Sequence, residues 1–130
     1  MIRTILLSMM TTVLFAAPQQ LSLEEALSAM ISHAKTTCFR GDKLGCQLVG
    51  ESLSVGNAAD RNYHEAIKYF AQGCKLKNAS SCTHLAHAYE HGLGIRQDIT
   101  EAHELYGEAC DYGLQEGCDN FSRISSTLRK

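Results

Sequence analysis

The sequence has no run of Lys and Arg and no aromatic residues interleaved with basic ones, so it lacks the footprint of a nucleic-acid partner. Its apolar run from Ile5 to Ala17 is shorter than the roughly 20 residues that a membrane-spanning helix requires. No segment alternates polar and apolar residues for long enough to mark a strand, and the chain reads as all-α. A glycine-rich phosphate loop is also missing, because Gly92 and Gly94 lie between two helical stretches rather than after a strand. The N-terminal apolar region contains no cysteine to carry a lipid, and no stable membrane anchor is expected.

What is present begins with that short run. Arg3 precedes it, and Pro18 and two glutamines follow, which is the layout of a secretory signal peptide. Residues 1–17 are expected to be removed by cleavage after Ala16 or Ala17, although Leu14 or Phe15 stands where a small residue is preferred. A retained anchor helix or a buried first helix is the competing reading. Residues 18–130 then make one domain with a modest apolar core. Six cysteines in a short exported chain read first as a disulfide framework. Export and cysteine count therefore agree, and the expected location is periplasmic or secreted.

The cysteines also set a period. Cys38, Cys74 and Cys110 advance by 36 residues, and so do Cys46, Cys82 and Cys118. Their neighbours keep step: Glu65-Ala66 recurs as Glu101-Ala102, Phe70 as Tyr106, Gly45 as Gly117, and Gly56 as Gly92. Each unit reads as two helices. Ala66, Tyr69, Phe70, Gly73 and Cys74 fall three and four apart on one face, and Cys82, Leu85, Ala86 and Tyr89 do the same. "NYHE" at Asn62 and "DITE" at Asp98 place a capping side chain three residues before Glu65 and Glu101, and "SLEE" at Ser22 gives a similar start. The units span about 22–58, 62–94 and 98–127.

One helical hairpin cannot bury its own apolar face, and three make a short solenoid with two exposed ends. Cysteines eight apart across a tight turn sit at the end of one helix and the start of the next, where Cα atoms can approach to disulfide distance. The pairing expected is Cys38–Cys46, Cys74–Cys82 and Cys110–Cys118. Closing each nine-residue loop constrains the unfolded chain by about 2.5 kcal/mol, and three such bridges by about 7 kcal/mol. That is comparable to the whole stability of a small domain. Three thiol pairs holding metal is the rival reading. It is disfavoured by the wide spacing and by the reducing compartment that thiolates would need.

The stretch "YFAQGCKLKNASSCTHLAHAYEHGLGIRQDITEAHELYGEACDYGLQEGC" resembles the Sel-one-like repeat in its disulfide-bearing form, as in the Helicobacter cysteine-rich protein family. The resemblance rests on the aromatic pair before the first cysteine, the C-x₇-C cassette, Leu85-Ala86 with Tyr89, the "GLGIRQD" turn, and the Glu-Ala of the next helix. It covers residues near 25 to 122. The family often has Gly where Ala86 stands, which Gly50 keeps. The first unit has His33 and Ala34 in place of the aromatic pair, and "CDNFSRISSTLRK" ends in a polar tail that suits a terminal cap. Family members usually carry more units. The resemblance implies a TPR-like αα-hairpin solenoid, secreted or periplasmic. It also implies either an adaptor surface for peptides and proteins or, as in some cysteine-rich members, penicillin binding with slow β-lactam hydrolysis.

Side chains for such chemistry are sparse. Ser32 and Lys35 formally match the S-x-x-K pattern of acylating β-lactam hydrolases. Neither S-D-N nor K-T-G accompanies them, and Ser32 falls mid-helix, away from free amides that could bind an oxyanion. The pair reads as a coincidence on an exposed face. His84, His87 and His91 lie three and four apart and can share one face, which suggests a metal site or a general base. One helix supplies only two good ligands, however, so these residues read as exposed histidines titrating near neutral pH. His64 and His103 have no visible partners in the sequence. Glu101, Glu104 and Glu108 are spaced for a solvated helix face. No cofactor or metal is implied. The expected function is an exported binding or adaptor module for a peptide, protein or cell-wall ligand; the alternative is a slow β-lactam hydrolase.

Overall fold

The computed structural model describes residues 22–55 and 61–130. The expected signal peptide, Gly56 and the end of the first unit at residue 58 lie outside the described residues. Six helices follow in order: α1 (Leu23–Cys38), α2 (Lys43–Ser54), α3 (Tyr63–Lys75), α4 (Ala79–His91), α5 (Ile99–Asp111) and α6 (Gln115–Leu128). The described chain is all-helical, and each helix packs mainly on its sequence neighbours, as in a solenoid.

The starts of the first helices of each hairpin follow from their caps. Ser22 and Glu25 form a reciprocal capping box: the Glu25 amide donates to Ser22 Oγ, and the Ser22 amide donates to Glu25 Oε2. Asn62 Oδ1 accepts from the Glu65 amide and Asp98 Oδ1 from the Glu101 amide, each at 3.0 Å. Inside each hairpin the chain turns through a residue with positive φ: Gly41 at 102°, Lys77 at 61° and Gly113 at 94°. The amide following each one bonds back to the preceding helix, as Asn78 does to the Gly73 carbonyl at 3.0 Å. Between hairpins the same repetition holds, with the Asn62 amide on the Leu53 carbonyl and the Asp98 amide on the Tyr89 carbonyl.

Disulfides join Cys38 to Cys46, Cys74 to Cys82 and Cys110 to Cys118, with Cα separations of 4.6, 4.6 and 4.5 Å. Each bridges the end of one helix to the start of the next, across the turn that holds the positive-φ residue. The pairs so bridged, α1–α2, α3–α4 and α5–α6, pack less extensively than the unbridged pairs α2–α3 and α4–α5. The bridges thus reinforce the junctions that side-chain packing holds least.

The core runs along the array. Phe70 and Tyr106, the largest fully buried side chains, come from equivalent positions of α3 and α5. They sit in one cluster with Leu85, Ala86, Ala102, Leu105 and Ile124. A smaller cluster of Ala34, Cys38, Cys46, Val49 and Tyr69 fills the first hairpin and its junction with the second. Tyr89, from the apolar face of α4, is only partly buried at the edge of the main cluster.

Candidate functional site

The second helix of each hairpin buries its apolar side against its neighbours, and its opposite side carries polar residues in the 36-residue register. Equivalent positions are Glu51, His87 and Arg123 on α2, α4 and α6, and likewise His84 and Asn120 on α4 and α6, where α2 has the apolar Leu48 instead. These side chains interlock from helix to helix. Asn78 Nδ2 donates to Gln47 Oε1 at 3.0 Å, and Gln47 Nε2 donates to Glu51 Oε1 at 2.9 Å. His84 Nε2 lies 3.3 Å from the same Glu51 oxygen, and the His84 ring stacks on Phe70 with centroids 4.7 Å apart.

The next step along the face is held by a stronger pair. Arg123 grips Glu90 with both terminal nitrogens, Nη1 at 2.8 Å from Oε1 and Nη2 donating to Oε2 at 2.9 Å. The Tyr106 hydroxyl donates to Glu90 Oε2 as well, at 2.9 Å. The Arg123 hydrogen bond, helped by Tyr106, holds the Glu90 carboxyl below its ordinary range, against the opposing effect of burial. Burial, followed by the bond to Glu90, raises the Tyr106 phenol above its usual value. The guanidinium also donates to Asn120 Oδ1 from Nε and Nη2, so most of its donors are occupied.

Between α4 and α6 lies a groove of about 390 Å³, lined by Ser80, His87, His91, Glu116 and the Glu90–Arg123–Tyr106 group. The His87 and His91 rings are tilted against each other with centroids 4.4 Å apart. Partial burial, and next the neighbouring His91, push the His87 imidazole below its ordinary value, so it is neutral in a neutral medium. Glu116 has no ion-pair partner among the described residues. The groove therefore presents hydroxyl, imidazole and one uncompensated carboxylate along a wall that the Glu90–Arg123 pair keeps rigid.

The structure divides the histidine trio of the sequence. All three line the groove, but His84 is also held by Glu51 and Phe70, which leaves His87 and His91 as a pair of adjacent rings. Their ring nitrogens do not gather with a third donor. Among the described residues the only close trio of potential ligands is Cys74, Cys82 and Glu108, whose two sulfurs are bonded to each other. Ser32 and Lys35 line a shallow groove on α1 together with Glu24, Leu27, Ser28, Ile31 and Ser52. Lys35 Nζ lies 3.4 Å from Glu65 Oε1, and Ser32 is exposed in mid-helix.

His103, which has no partner visible in the sequence, gains two in the structure. Its Nε2 lies 2.6 Å from Ser125 Oγ, and its ring stacks on Phe121 at 4.1 Å. The Ser125 hydroxyl also lies 2.8 Å from the Phe121 carbonyl. The contact ties α5 to α6. The missed signals were the Glu90–Arg123 and His103–Ser125 pairs, 33 and 22 residues apart in the chain. Neither separation matches the 36-residue period.

The model of the Sel1 repeat matches residues 44–78 and 79–113. The chain belongs to the Sel1 repeat family. Each matched Sel1 segment runs from the second helix of one hairpin through the first helix of the next, which joins the more extensively packed pairs α2–α3 and α4–α5. Protein sel-1 homolog 2 of Homo sapiens is 32% identical over 72 residues, covering 55% of this chain but 10% of that protein. Among solved structures, the Sel1 repeat protein from Oxalobacter formigenes aligns with a TM-score of 0.66 and 23% identity, over 79% of this chain and 40% of that one. Helicobacter pylori cysteine rich protein B aligns with a TM-score of 0.62 and 18% identity, over 82% and 76% of the two chains. At these identities the two structures establish the fold. Sel1 repeats are, in general, modules of protein–protein interaction. The three disulfides are consistent with an extracytoplasmic, oxidising setting. No helix among the described residues is long and apolar enough to cross a membrane.

Proposed function

We propose that this chain is an exported peptide-binding module, freed of residues 1–17 and built of units 22–58, 62–94 and 98–127, whose α4–α6 groove holds an extended segment of a partner protein. The observation that carries the reading is the state of the groove wall. Glu90, Arg123 and Tyr106 satisfy one another, with His91 Nε2 a further 3.9 Å from Glu90 Oε2, while Ser80, His87 and Glu116 remain available for a ligand. Hydroxyl and imidazole groups suit peptide N–H and carbonyl groups, and the unpaired Glu116 favours a segment carrying Lys or Arg. A wall this polar suits a peptide backbone better than a hydrophobic small molecule. A cell-wall peptide offers the same groups as a protein segment.

No observation favours the hydrolase alternative. Lys35 is turned to Glu65, and Ser32 and Ser125 both lie within helices, away from free backbone amides. The test is a titration of the full chain against a peptide library that varies in charge. Binding of basic peptides that weakens about tenfold in Glu116→Gln supports the reading. Equal binding of acidic and basic peptides, or indifference to Glu116→Gln, refutes it.

A further inference from the structure

The groove wall of α4 carries a histidine pair that the core does not use. The stretch "HLAHAYEH" sets His84, His87 and His91 on the groove side of the helix. A spacing of four residues stacks two side chains on one face, a turn apart. His87 and His91 are in contact, with ring centroids 4.4 Å apart and planes tilted by 55°. Both residues are open to solvent, so a solute reaches them with no change in the fold. His84 is engaged elsewhere: Glu51 Oε1 lies 3.3 Å from its Nε2, and Phe70 stacks on its ring.

We propose that His87 and His91 chelate one divalent transition-metal ion of the imidazole-binding kind, Cu²⁺ ahead of Ni²⁺ and Zn²⁺, at the mouth of the α4–α6 groove. Metal–imidazole bonds are about 2.0–2.1 Å long, so two donor nitrogens at a tetrahedral centre stand roughly 3.3 Å apart. Rings already in contact across one helical turn reach that separation by rotating their own side chains, with the backbone fixed. Two further observations point to a cation. Glu90 Oε2 lies 3.9 Å from His91 Nε2. A carboxylate behind a ligating imidazole fixes its tautomer and raises its basicity, and this one leaves His91 Nδ1 as the ligand atom. Across the groove, Glu116 has no ion-pair partner among the described residues, whereas Arg123 balances Glu90. The fixed charge of the groove is therefore negative, which draws a cation in.

No other His, Cys, Asp or Glu among the described residues gathers a donor atom with the pair, so water completes the coordination. All six cysteines are in disulfides, which leaves imidazole as the softest donor on this surface. Two imidazoles with open positions rank metals by intrinsic affinity, which puts Cu²⁺ first. Mg²⁺ and Ca²⁺ prefer oxygen donors and are not held.

Titration of the full, tag-free chain with Cu²⁺, followed by visible absorbance and electron paramagnetic resonance, tests this. The expected result is one ion bound per chain, with a hyperfine pattern from imidazole nitrogen. His87→Ala or His91→Ala weakens binding by about a hundredfold, because the chelate collapses to a single ligand. His33→Ala and His64→Ala, on other helices, leave it unchanged. Glu116→Gln weakens it by less than about tenfold, since that carboxylate acts through charge alone. His87 and His91 are exposed, so the metal-free variants unfold at the same temperature as the parent, and lost binding is not lost fold. Binding that survives either histidine substitution overturns the proposal, because the ion then sits elsewhere. So does the absence of saturable binding up to about 1 mM. The titration contains no peptide, so its failure leaves the peptide-binding reading standing, and failure of that reading leaves the metal site standing.

Discussion

Gly73 on α3 faces Ser81 on α4 so closely that a Cβ at Gly73 would run into the Ser81 hydroxyl. The other two hairpins solve the same crossing in reverse. A Cβ at Gly45 would stand 2.7 Å from Thr37 Oγ1, and one at Gly117 would stand 2.7 Å from the Ala109 Cβ. At each crossing one partner is glycine and the other carries the side chain. The crossing lies beside the disulfide, so the helices cannot move apart to admit a second side chain.

Gly73→Ala is therefore expected to destabilise by about 2 kcal/mol, a typical cost of overpacking. Ser81→Gly in the same chain should recover most of it, because it restores one side chain per crossing. Chemical unfolding of the two single variants and the double variant measures the coupling. An additive result would show that the crossing relaxes freely.

The Cys74–Cys82 bridge joins two buried cysteines at a junction with comparatively little packing. Replacing both by alanine should lower unfolding free energy by about 2–3 kcal/mol. Urea denaturation under non-reducing conditions checks this, and an unchanged midpoint would contradict it.

The third hairpin lacks a cap that the first two possess. Asp42 and Asn78 accept from the amides of Leu44 and Ser81, whereas Leu114 at the start of α6 makes no side-chain cap. Leu114 already has extended backbone angles, φ −94° and ψ 113°, that suit a capping residue. Leu114→Asp should add about 1 kcal/mol, read as a higher thermal midpoint.

Glu90 supplies a pH dependence. Its folded-state pKa lies below the reference of 4.5, so the stability it contributes is present above that value. This contribution is lost as pH falls from there through the folded-state pKa. Glu90→Gln should cost about 2 kcal/mol at neutral pH, since it weakens the three charge-assisted contacts from Arg123 and Tyr106. The gap between wild type and variant should close in acid. Urea midpoints at several pH values measure this, and a gap independent of pH would contradict it.

Much of the architecture was legible because it repeats. The 36-residue step, the caps at Asn62 and Asp98 and the apolar faces of α3 and α4 are local features copied along the chain, and copying makes local signals unambiguous. The groove was less legible. The spacing of His84, His87 and His91 showed a shared face, but not that Phe70 and Glu51 engage the first of them. Glu90, Arg123 and Tyr106 come from three helices, and their mutual bonds are not copied in the other units. Gly50 shows the same limit: it could be matched to Ala86 by register, but only packing reveals that it makes room for the Phe70 ring.

By itself, the sequence determined the helical hairpins, their period and the disulfide-stapled solenoid, because these depend on residues within one turn or one hairpin of each other. Tertiary structure alone decided which polar side chains neutralise one another and which remain unpaired in the α4–α6 groove. Those outcomes depend on how successive helices rotate and approach, and that is settled by side-chain volume across interfaces such as Gly50–Phe70 and Gly73–Ser81.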